Sequence, residues 1–381
     1  MGHRLIFTCN PVNTTHLLST AFADFDSSPL RKPLFEPITP HGIFTLDGVG
    51  WKASRDQLRG RLADLRKIID LDQCEKHFQA YVKHIPTNGT VFDVQACNFA
   101  LSLDIQTLFS LGESVDALSF TQSQEKKQFF DDLLGQFLRA CKRARNFVLT
   151  HATREVQKRR GVGEKIDSNM ERQEISQFAD QALSILLAND SMSTALSGMF
   201  YCLSKNEHVV RKLRGSIVDT IGFARPTLGQ LNSLHYVRWV IFEALRLYPA
   251  VVLNARVANK HSTLPSGGGI DGASPILLRK GEIVVFSTWA QHRLGEEFGV
   301  APEEFHPERW EHLSGDMPGF IPFNKGPRIC PGKYYAMTIL TYIIARIFQT
   351  FSTVSDYNVK PWTEKIAMTF ENENGVLIGL K

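Results

Sequence analysis

The sequence predicts a mainly α-helical fold with a small β-rich part. Three observations support this prediction: long segments with helical spacing of apolar residues, a β-branched region after Pro249, and no internal repeat or low-complexity linker. Of the 381 residues, 43% are hydrophobic and 22% are charged, which excludes disordered, collagen-like and coiled-coil architectures. We therefore expect a single domain over residues 1–381.

Four long segments carry apolar residues at helical spacing. They are residues 51–71, 129–160, 173–203 and 231–247. The last segment ends before Pro249, because proline cannot continue a helix. A fifth helix is predicted at 334–348, where Thr338, Thr341 and Arg346 interrupt the apolar run. This interruption favours a buried helix over a membrane-spanning one.

The predicted β-rich part follows the fourth helix. Residues 251–257 and 283–287 are β-branched and are bounded by turn signals, and the Gly-rich stretch 264–272 between them is typical of a hairpin. A coil rich in proline and aromatic residues, 301–331, precedes the fifth helix, and a strand-like tail follows it.

The net charge and the cysteine pattern exclude several kinds of partner and site. Lys and Arg number 43 against 39 Asp and Glu, a net charge of +4, so we expect no nucleic-acid partner. The 6 cysteines are far apart and form no C-x-x-C pair, which excludes a disulfide-stapled scaffold and a structural zinc site and suits a reducing compartment. The sequence has neither a secretory signal nor an uninterrupted apolar run of about eighteen residues, so we expect no transmembrane helix.

The most informative stretch is residues 323–332, F-N-K-G-P-R-I-C-P-G. Two glycines and two prolines predict a tight turn around Cys330, just before a long helix. Backbone N–H groups and a helix N-terminus favour a thiolate in such surroundings, and a thiolate is a metal ligand. Arg328 supplies a fixed positive charge that suits a carboxylate.

This stretch resembles the haem-binding loop of the cytochrome P450 family, F-x-x-G-x-R-x-C-x-G, at every fixed position. The resemblance implies a cytochrome P450-like fold that binds haem b (iron protoporphyrin IX). Cys330 would be the axial iron ligand, Phe323 would pack near its sulfur, and Arg328 would bind a haem propionate. A thiolate ligand pushes electron density onto iron and favours O–O cleavage.

Glu243 and Arg246 form a second motif, E-x-x-R, before Cys330 in the chain. Residues three apart share a helix face, so this pair alone would indicate only a surface ion pair. Together with Arg309 in P-E-R-W, however, the pair resembles the structural triad of the family. The resemblance implies that the triad braces the haem-side core and serves folding and haem retention.

Four further residues are expected at the propionates because they match family positions. Trp51 and Arg55 resemble the W-x-x-x-R helix, and the alternative is an ordinary helix stripe with a snorkelling arginine. Arg256 follows E-x-x-R in a predicted strand, and His292 lies in Q-H-R. For His292 the alternative is a solvated loop residue.

The oxygen-activating helix departs from the family pattern [A/G]-G-x-[D/E]-T-[T/S], in which an acid and an alcohol relay protons. Alignment on residues 186–188 would place Ser191 at the acid and Met192 at the alcohol, and the relay would be lost. The alternative alignment carries residues 203–206 without a gap onto the family's L-x-[R/K]-[N/H]-P. It makes Asp190 the acid and Ser191 the alcohol, and we predict these two as the relay pair.

Two blocks, residues 42–48 and 267–276, resemble the fungal branch that hydroxylates alkanes and fatty acids and related enzymes of secondary metabolism. Other features depart from the family. Leu187 and Ala188 replace smaller residues and should crowd the oxygen groove. The family's N-terminal anchor and first elements are missing, so we expect an N-terminally truncated fold, and the lid segment between residues 114 and 190 is short.

These features favour a haem-thiolate monooxygenase acting on a small hydrophobic substrate: a fatty acid, an alkane or a secondary-metabolite intermediate. No flavin or dinucleotide fingerprint occurs, so electrons would come from NADPH through NADPH-cytochrome P450 reductase, docked near Lys325, Arg328 and Lys333. We expect the enzyme in the cytoplasm or peripherally on the cytosolic face of the endoplasmic reticulum. The alternatives are an inactive truncated remnant and a haem-thiolate isomerase or peroxide-dependent enzyme.

Overall fold

The structure is a computed structural model that describes residues 4–27, 29, 31–119, 124, 126–128, 138–160, 168–366 and 369–381. It is mainly helical with small sheets, which confirms the predicted fold class. The chain divides into two compact units. The first unit comprises Met1–Asp26, Tyr81–Phe99 and Asp190–Lys381, and the second comprises Ser27–Ala80 and Ala100–Asn189. A single haem domain over residues 1–381 stays a prediction.

Most of the described helices precede residue 250, and most of the described strands follow it. The helices are α1 (Pro11–Thr15), α2 (Lys32–Phe35), α3 (Gly48–Leu62), α4 (Leu65–Ile68), α5 (Leu71–Val82), α6 (Val94–Leu111), α7 (Leu138–Arg160), α8 (Ser168–Leu186), α9 (Asn189–Ser204), α10 (Glu207–Ile221), α11 (Leu228–Asn232), α12 (His235–Leu247), α13 (Thr288–Leu294) and α14 (Lys333–Thr350). The strands are β1 (Leu5–Thr8), β2 (Phe25–Ser27), β3 (Phe92–Asp93), β4 (Leu253–Ala258), β5 (Ser262–Gly268), β6 (Ser274–Leu278), β7 (Ile283–Ser287), β8 (Val354–Asp356), β9 (Glu364–Ile366), β10 (Phe370–Asn372) and β11 (Leu377–Leu380).

The main sheet has the strand order β1-β7-β4-β2. Strand β7 lies between β1, which is parallel to it, and β4, which is antiparallel. The β-branched stretches predicted at 251–257 and 283–287 are therefore strands β4 and β7, and the Gly-rich stretch lies in the β5–β6 hairpin. The buried side chains of this region form one hydrophobic cluster: Leu17, Leu18, Phe25, Ala258, Leu264, Leu278, Val284, Phe286 and Ile321.

Most predicted helices are present, with corrected boundaries. The segment 51–71 is interrupted after α3, because the Asp64 side chain accepts the Arg66 N–H and begins the short helix α4. The segment 231–247 contains the end of α11 and all of α12. Helix α14 confirms the fifth prediction. The first part of the second segment, 129–137, lies outside the described residues.

The segment 173–203 was predicted as one helix, and this is wrong. Helix α8 ends at Leu186 and α9 begins at Asn189, so Leu187 and Ala188 form a break. The Leu187 N–H still donates to the Leu183 carbonyl, four residues back. The Ala188 N–H, however, donates to the Ile185 carbonyl, three residues back, at 3.0 Å. The tighter turn ends the α-helical repeat without the glycine or proline that usually signals such a break.

In the second unit, helices α7 and α8 pack together and hold the loop around residues 39–45. The buried carboxylate of Asp180 pairs with Arg145 and accepts the backbone N–H of His41 at 2.8 Å. A Cβ atom on Gly42 would lie 2.7 Å from the Thr39 side chain, so this position requires glycine. Among the described residues, no helix is long and apolar enough to cross a membrane.

Candidate functional site

The Cys330 loop lies in the first unit, immediately before α14. The Cys330 N–H donates to the carbonyl of Phe323 at 2.8 Å, and a 3₁₀ turn over Gly326–Arg328 links them. Gly326 has φ +65°, and a Cβ atom there would collide with the carbonyl oxygen of Leu18. Only glycine fits, so the loop is fixed in place by the preceding π-helical turn His16–Thr20.

The sulfur of Cys330 lies close to Gly332. A Cβ atom on Gly332 would lie 3.9 Å from Sγ, at ordinary van der Waals distance. Cys330 is half-buried, and helix α14 begins one residue after Gly332. A sulfur that is both fixed and reachable is what an axial ligand requires.

Three other cysteines lie in different surroundings. Burial raises the pKa of Cys74 to about 12 and that of Cys97 to about 11. Cys202 is fully buried, and burial raises its pKa strongly as well. These thiols are protonated at neutral pH and behave as small apolar side chains, so they do not compete with Cys330 as ligands.

Glu243, on α12, is the centre of a buried charged network. Its side chain and that of Arg246 are both 0% exposed, and the guanidinium donates to both carboxylate oxygens at 2.9 Å. Arg309 donates from Nε to Oε1 at 2.8 Å, which completes the triad that the motifs predicted. The sequence did not predict that the Trp310 indole N–H would also donate, to Oε2 at 2.8 Å.

The triad also forms hydrogen bonds with the backbone of the coil that precedes the cysteine loop. Arg246 donates to the carbonyls of His292, Pro302 and Glu304, and the backbone N–H of His306 donates to Glu243 at 3.0 Å. Each of these bonds is charge-assisted, which makes it stronger than an ordinary hydrogen bond, and the one to His292 is fully buried. The Glu243 carboxylate therefore accepts hydrogen bonds from four residues.

His292 lies beside the triad and is fully buried, which is contrary to the solvated alternative. Its Nε2 accepts the backbone N–H of Ile321 at 2.9 Å, and its ring packs on Phe320 with the centroids 5.0 Å apart. Burial lowers the pKa of His292 to about 3, and the charges of Arg246 and Arg293 contribute to this decrease. The imidazole is thus neutral at physiological pH. Its contact with a propionate stays a prediction.

Arg256, on β4, carries a buried guanidinium that stacks 5.7 Å from the Phe286 ring centroid. Its Nη1 donates to the carbonyl of Ala255 at 2.8 Å and to the Asn254 side chain at 3.2 Å. Arg328 is half-buried in the cysteine loop. One fixed sulfur and two arginines in the same unit are a donor set that fits haem b, because the propionates need positive partners.

Trp51 and Arg55 lie in the second unit, on α3, and both are buried. The Arg55 guanidinium carbon stands 5.7 Å from the centroid of the Trp51 ring. The two side chains are therefore neighbours, as their four-residue spacing predicted. Their part in haem binding stays a prediction.

Asp190 and Ser191 occupy the first turn of α9, directly after the break at Leu187 and Ala188. Both side chains are half-buried. Burial raises the pKa of Asp190 to about 6, and the negative charge of Glu371 adds to the rise. A carboxyl group with this pKa holds and releases a proton near neutral pH, as a general acid or base must. Sequence inspection did not single out Glu371, because the two residues are distant in the chain.

Comparison with known proteins agrees with this geometry. The cytochrome P450 family model matches residues 76–377. Cytochrome P450 52A5 of Candida maltosa is 36% identical over 401 residues, which cover 92% of this chain and 76% of that protein. The cytochrome P450 monooxygenase himC of Aspergillus japonicus is 34% identical over 418 residues, which cover 100% of this chain and 74% of that protein.

A third relative, the cytochrome P450 monooxygenase FPY7 of Fusarium mangiferae, is 34% identical over 420 residues. The alignment covers 100% of this chain and 80% of that protein. All three relatives are fungal, in agreement with the predicted branch. The chain thus belongs to the cytochrome P450 family of haem b-binding monooxygenases and is an oxidoreductase.

Proposed function

We propose that this protein oxidises a small hydrophobic substrate (a fatty acid, an alkane or a fungal secondary-metabolite intermediate) with O₂ and electrons from NADPH. The observation that carries the proposal is the rigid turn that presents Cys330 at the start of α14. Haem b, when bound, supplies oxygen activation, which a thiolate ligand favours.

Retention of the cofactor is the role we assign to the cysteine loop and to the arginines. Cys330 ligates the iron, Phe323 packs near the sulfur, and Arg256 and Arg328 bind propionates. Trp51, Arg55 and His292 complete this set in the proposal. The Glu243 network serves the same end indirectly, because it holds the coil before the loop in one conformation.

Proton delivery is the role we assign to Asp190 and Ser191. Asp190 has a pKa of about 6, close enough to neutral pH for rapid protonation and deprotonation. Ser191 is the next residue in the first turn of α9, and a serine hydroxyl can both accept and donate a hydrogen bond. In this role the Asp190 carboxyl group gives its proton to the Ser191 oxygen while the hydroxyl releases its own proton onward, so the hydroxyl and the carboxylate are both restored.

Apolar side chains in each of the two units support a hydrophobic substrate. In the first unit, Leu253 begins β4 and Val251 lies two residues before it, and both are exposed although apolar. In the second unit, Leu187 is half-buried in the break that follows α8. Apolar surface of this kind favours a ligand that gains from leaving water.

We also propose that NADPH-cytochrome P450 reductase docks beside the cysteine loop and supplies electrons singly. Lys325 and Arg328 are half-buried cations in that loop. Lys333 forms an ion pair with Asp316 at 2.6 Å, so it contributes less positive charge to the surface beside the cysteine loop. The proposal places the enzyme in the cytoplasm or peripherally on the cytosolic face of the endoplasmic reticulum, with its reductase, and cell fractionation tests it.

The carbon monoxide difference spectrum of the dithionite-reduced protein tests the thiolate ligand first. A strongly red-shifted Soret band is expected if Cys330 is an intact thiolate. Substrate screening with the reductase and NADPH then tests turnover. An unshifted band, or no bound haem, would contradict the proposal and favour the alternative of an inactive remnant.

A peroxide-dependent enzyme or a haem-thiolate isomerase is the second candidate. It is favoured by the bulk of Leu187 and Ala188 at the helix break, where the family pattern has smaller residues. Product formed without NADPH and reductase, with hydrogen peroxide or with no oxidant, would support this candidate. Strict dependence on NADPH, reductase and O₂ would reject it.

A further inference from the structure

One buried ion pair in the second unit holds the 38–45 loop, which lies between α2 and α3, against α7 and α8. Asp180, on α8, is 1% exposed, and its Oδ2 accepts the backbone N–H of His41 at 2.8 Å. Its Oδ1 accepts a hydrogen bond from Nη1 of Arg145, on α7, and the same Nη1 donates to the carbonyl of Ile38 at 2.5 Å. These bonds are charge-assisted and therefore stronger than ordinary hydrogen bonds. The pair thus fixes the loop backbone at two points.

The 38–45 loop is also closed by bonds of its own. Thr45 Oγ1 donates to the carbonyl of Thr39 at 2.6 Å, and the N–H of Gly42 donates to the same carbonyl at 3.0 Å. Both threonine side chains are buried. A Cβ atom on Gly42 would lie 2.9 Å from Oγ of Ser184, so the loop packs directly on α8 at this point. A displacement at the ion pair therefore moves the loop as a whole rather than one residue alone.

The face of α8 that contacts the loop continues to the helix break. Asp180 and Ser184 are four residues apart and Leu187 follows Ser184 by three, so all three project from one face of the helix. The Leu187 N–H donates four residues back at 2.8 Å, so this residue keeps the helical spacing. Leu187 is half-buried, and so is Ile43, which follows Gly42 in the loop. Partly exposed apolar side chains therefore lie both on the loop and on the helix face that the loop contacts.

We propose that Asp180 determines how strongly the enzyme discriminates between substrates of different chain length, because it fixes the 38–45 loop as a wall of the substrate pocket. The inference rests on the proposed function and deepens it: the hydrocarbon chain of the substrate lies along the loop and toward Leu187. A methylene group that leaves water against a fixed apolar wall raises the affinity roughly fourfold. A chain too short to reach the loop gains nothing from it. Asp180 acts through the loop and is thus a positioning residue rather than a catalytic residue.

An ion pair that served folding alone would behave differently from one that positions a pocket wall. Its loss would lower the fraction of folded protein, which weakens the apparent binding of every chain length by the same factor. The loss of a pocket wall, in contrast, weakens the binding of long chains more than that of short ones. The ratio of the dissociation constants for two chain lengths therefore separates the two roles.

The test compares two variants of Asp180. Asp180→Ala removes both bonds of the carboxylate, whereas Asp180→Asn keeps an acceptor oxygen for the His41 N–H and loses the charge that pairs with Arg145. Glu113→Gln is the matched control, because Glu113 pairs with His151 of α7 at 2.5 Å and lies outside the loop. Calorimetry measures the dissociation constants of hexanoic, lauric and palmitic acid, and of the primary alcohols of equal length, in the ferric protein without reductase.

We expect the wild type to bind palmitic acid more tightly than lauric acid and lauric acid more tightly than hexanoic acid, with the alcohols in the same order. The preference for palmitic over lauric acid should fall roughly tenfold in Asp180→Ala, fall less in Asp180→Asn, and stay unchanged in Glu113→Gln. If Asp180→Ala does not fold, Asp180→Asn alone decides. A wild type without this preference, or a preference that the folded Asp180 variants retain, would overturn the proposal. A wild type that binds neither series and oxidises no hydrophobic compound would instead refute the proposed function itself.

Discussion

The region around Cys330 and the Glu243 network differs from the break between α8 and α9 in how its charged groups are paired. On the side of the fold that contains Cys330, the Glu243 carboxylate accepts hydrogen bonds from Arg246, Arg309, Trp310 and the His306 backbone. At Leu187 and Ala188 one helix ends, another begins, and the chain departs from the family pattern. The first region contains a carboxylate with four hydrogen-bond donors, whereas the second contains a half-buried acid that burial disfavours in its charged form.

This difference suits two different roles: the first region retains the cofactor, and the second transfers protons. A metal ligand must stay in one place, so rigid and fully paired surroundings are favourable there. A proton carrier must change its charge in every cycle, so a poorly stabilised carboxylate is favourable and costs stability. We therefore expect substitutions on the cysteine side to abolish binding or folding, and those at the helix break to alter rate and pH dependence.

The largest effect is expected for Cys330→Ser. A serine hydroxyl does not ionise near neutral pH, so thiolate ligation is lost, and the red-shifted carbon monoxide band and all turnover should be lost with it. Cys9→Ser is the control, because Cys9 is also half-buried but lies outside the loop. An unchanged spectrum in Cys330→Ser would show that another residue ligates the iron.

Glu243→Ala tests the charged network next. It leaves the buried Arg246 without its carboxylate partner, and losing one member of a buried ion pair costs about 3–5 kcal/mol. We expect a corresponding decrease in the free energy of unfolding, measured in denaturant, and faster loss of haem. Glu311→Ala is the control, since Glu311 lies exposed in the same 3₁₀ turn as Arg309. Equal stability of the two variants would show that the network does not brace this core.

The same contrast explains what sequence alone could predict. The Cys330 turn was predictable because a glycine is required by the local backbone, as the positive φ of Gly326 shows. The donation of Trp310 to Glu243 was not, because nothing in the motif tells which side chains meet across 67 residues. The break at Leu187 was missed because the apolar spacing continues through it and neither glycine nor proline marks it. Likewise, the contact of Thr369 with Thr194 has no local signal, because the two residues are far apart in the chain.

Asp190→Asn should have opposite effects on activity and stability. Product formation should decrease about 10²-fold or more, because the amide cannot relay protons. The raised pKa means that the native state binds a proton more tightly than the unfolded chain, so ionisation destabilises the fold as pH rises from the ordinary value 3.8 to about 6.

This destabilisation is absent below the lower of these pKa values and complete above the higher one. Asp190→Asn should therefore be more stable than the wild type at pH 7, by up to roughly 3 kcal/mol. The advantage should disappear near pH 4. Unfolding in denaturant at both pH values measures it, and an equal difference at both would show that the Asp190 pKa is not raised in the native state.

The smallest effect is expected for Ala188→Gly, which restores the smaller residue of the family pattern at the break. Removing one methyl group relieves crowding only slightly, so we expect the yield of product per NADPH to rise by less than tenfold. Glycine should also lower the free energy of unfolding by about 0.5–1 kcal/mol, because it loses more backbone entropy on folding. Ala195→Gly, inside α9, is the control for this entropic cost, since Ala195 lies away from the break. A gain in yield confined to Ala188→Gly would show that bulk at the break limits oxygen chemistry, whereas no gain would assign the break a purely structural role.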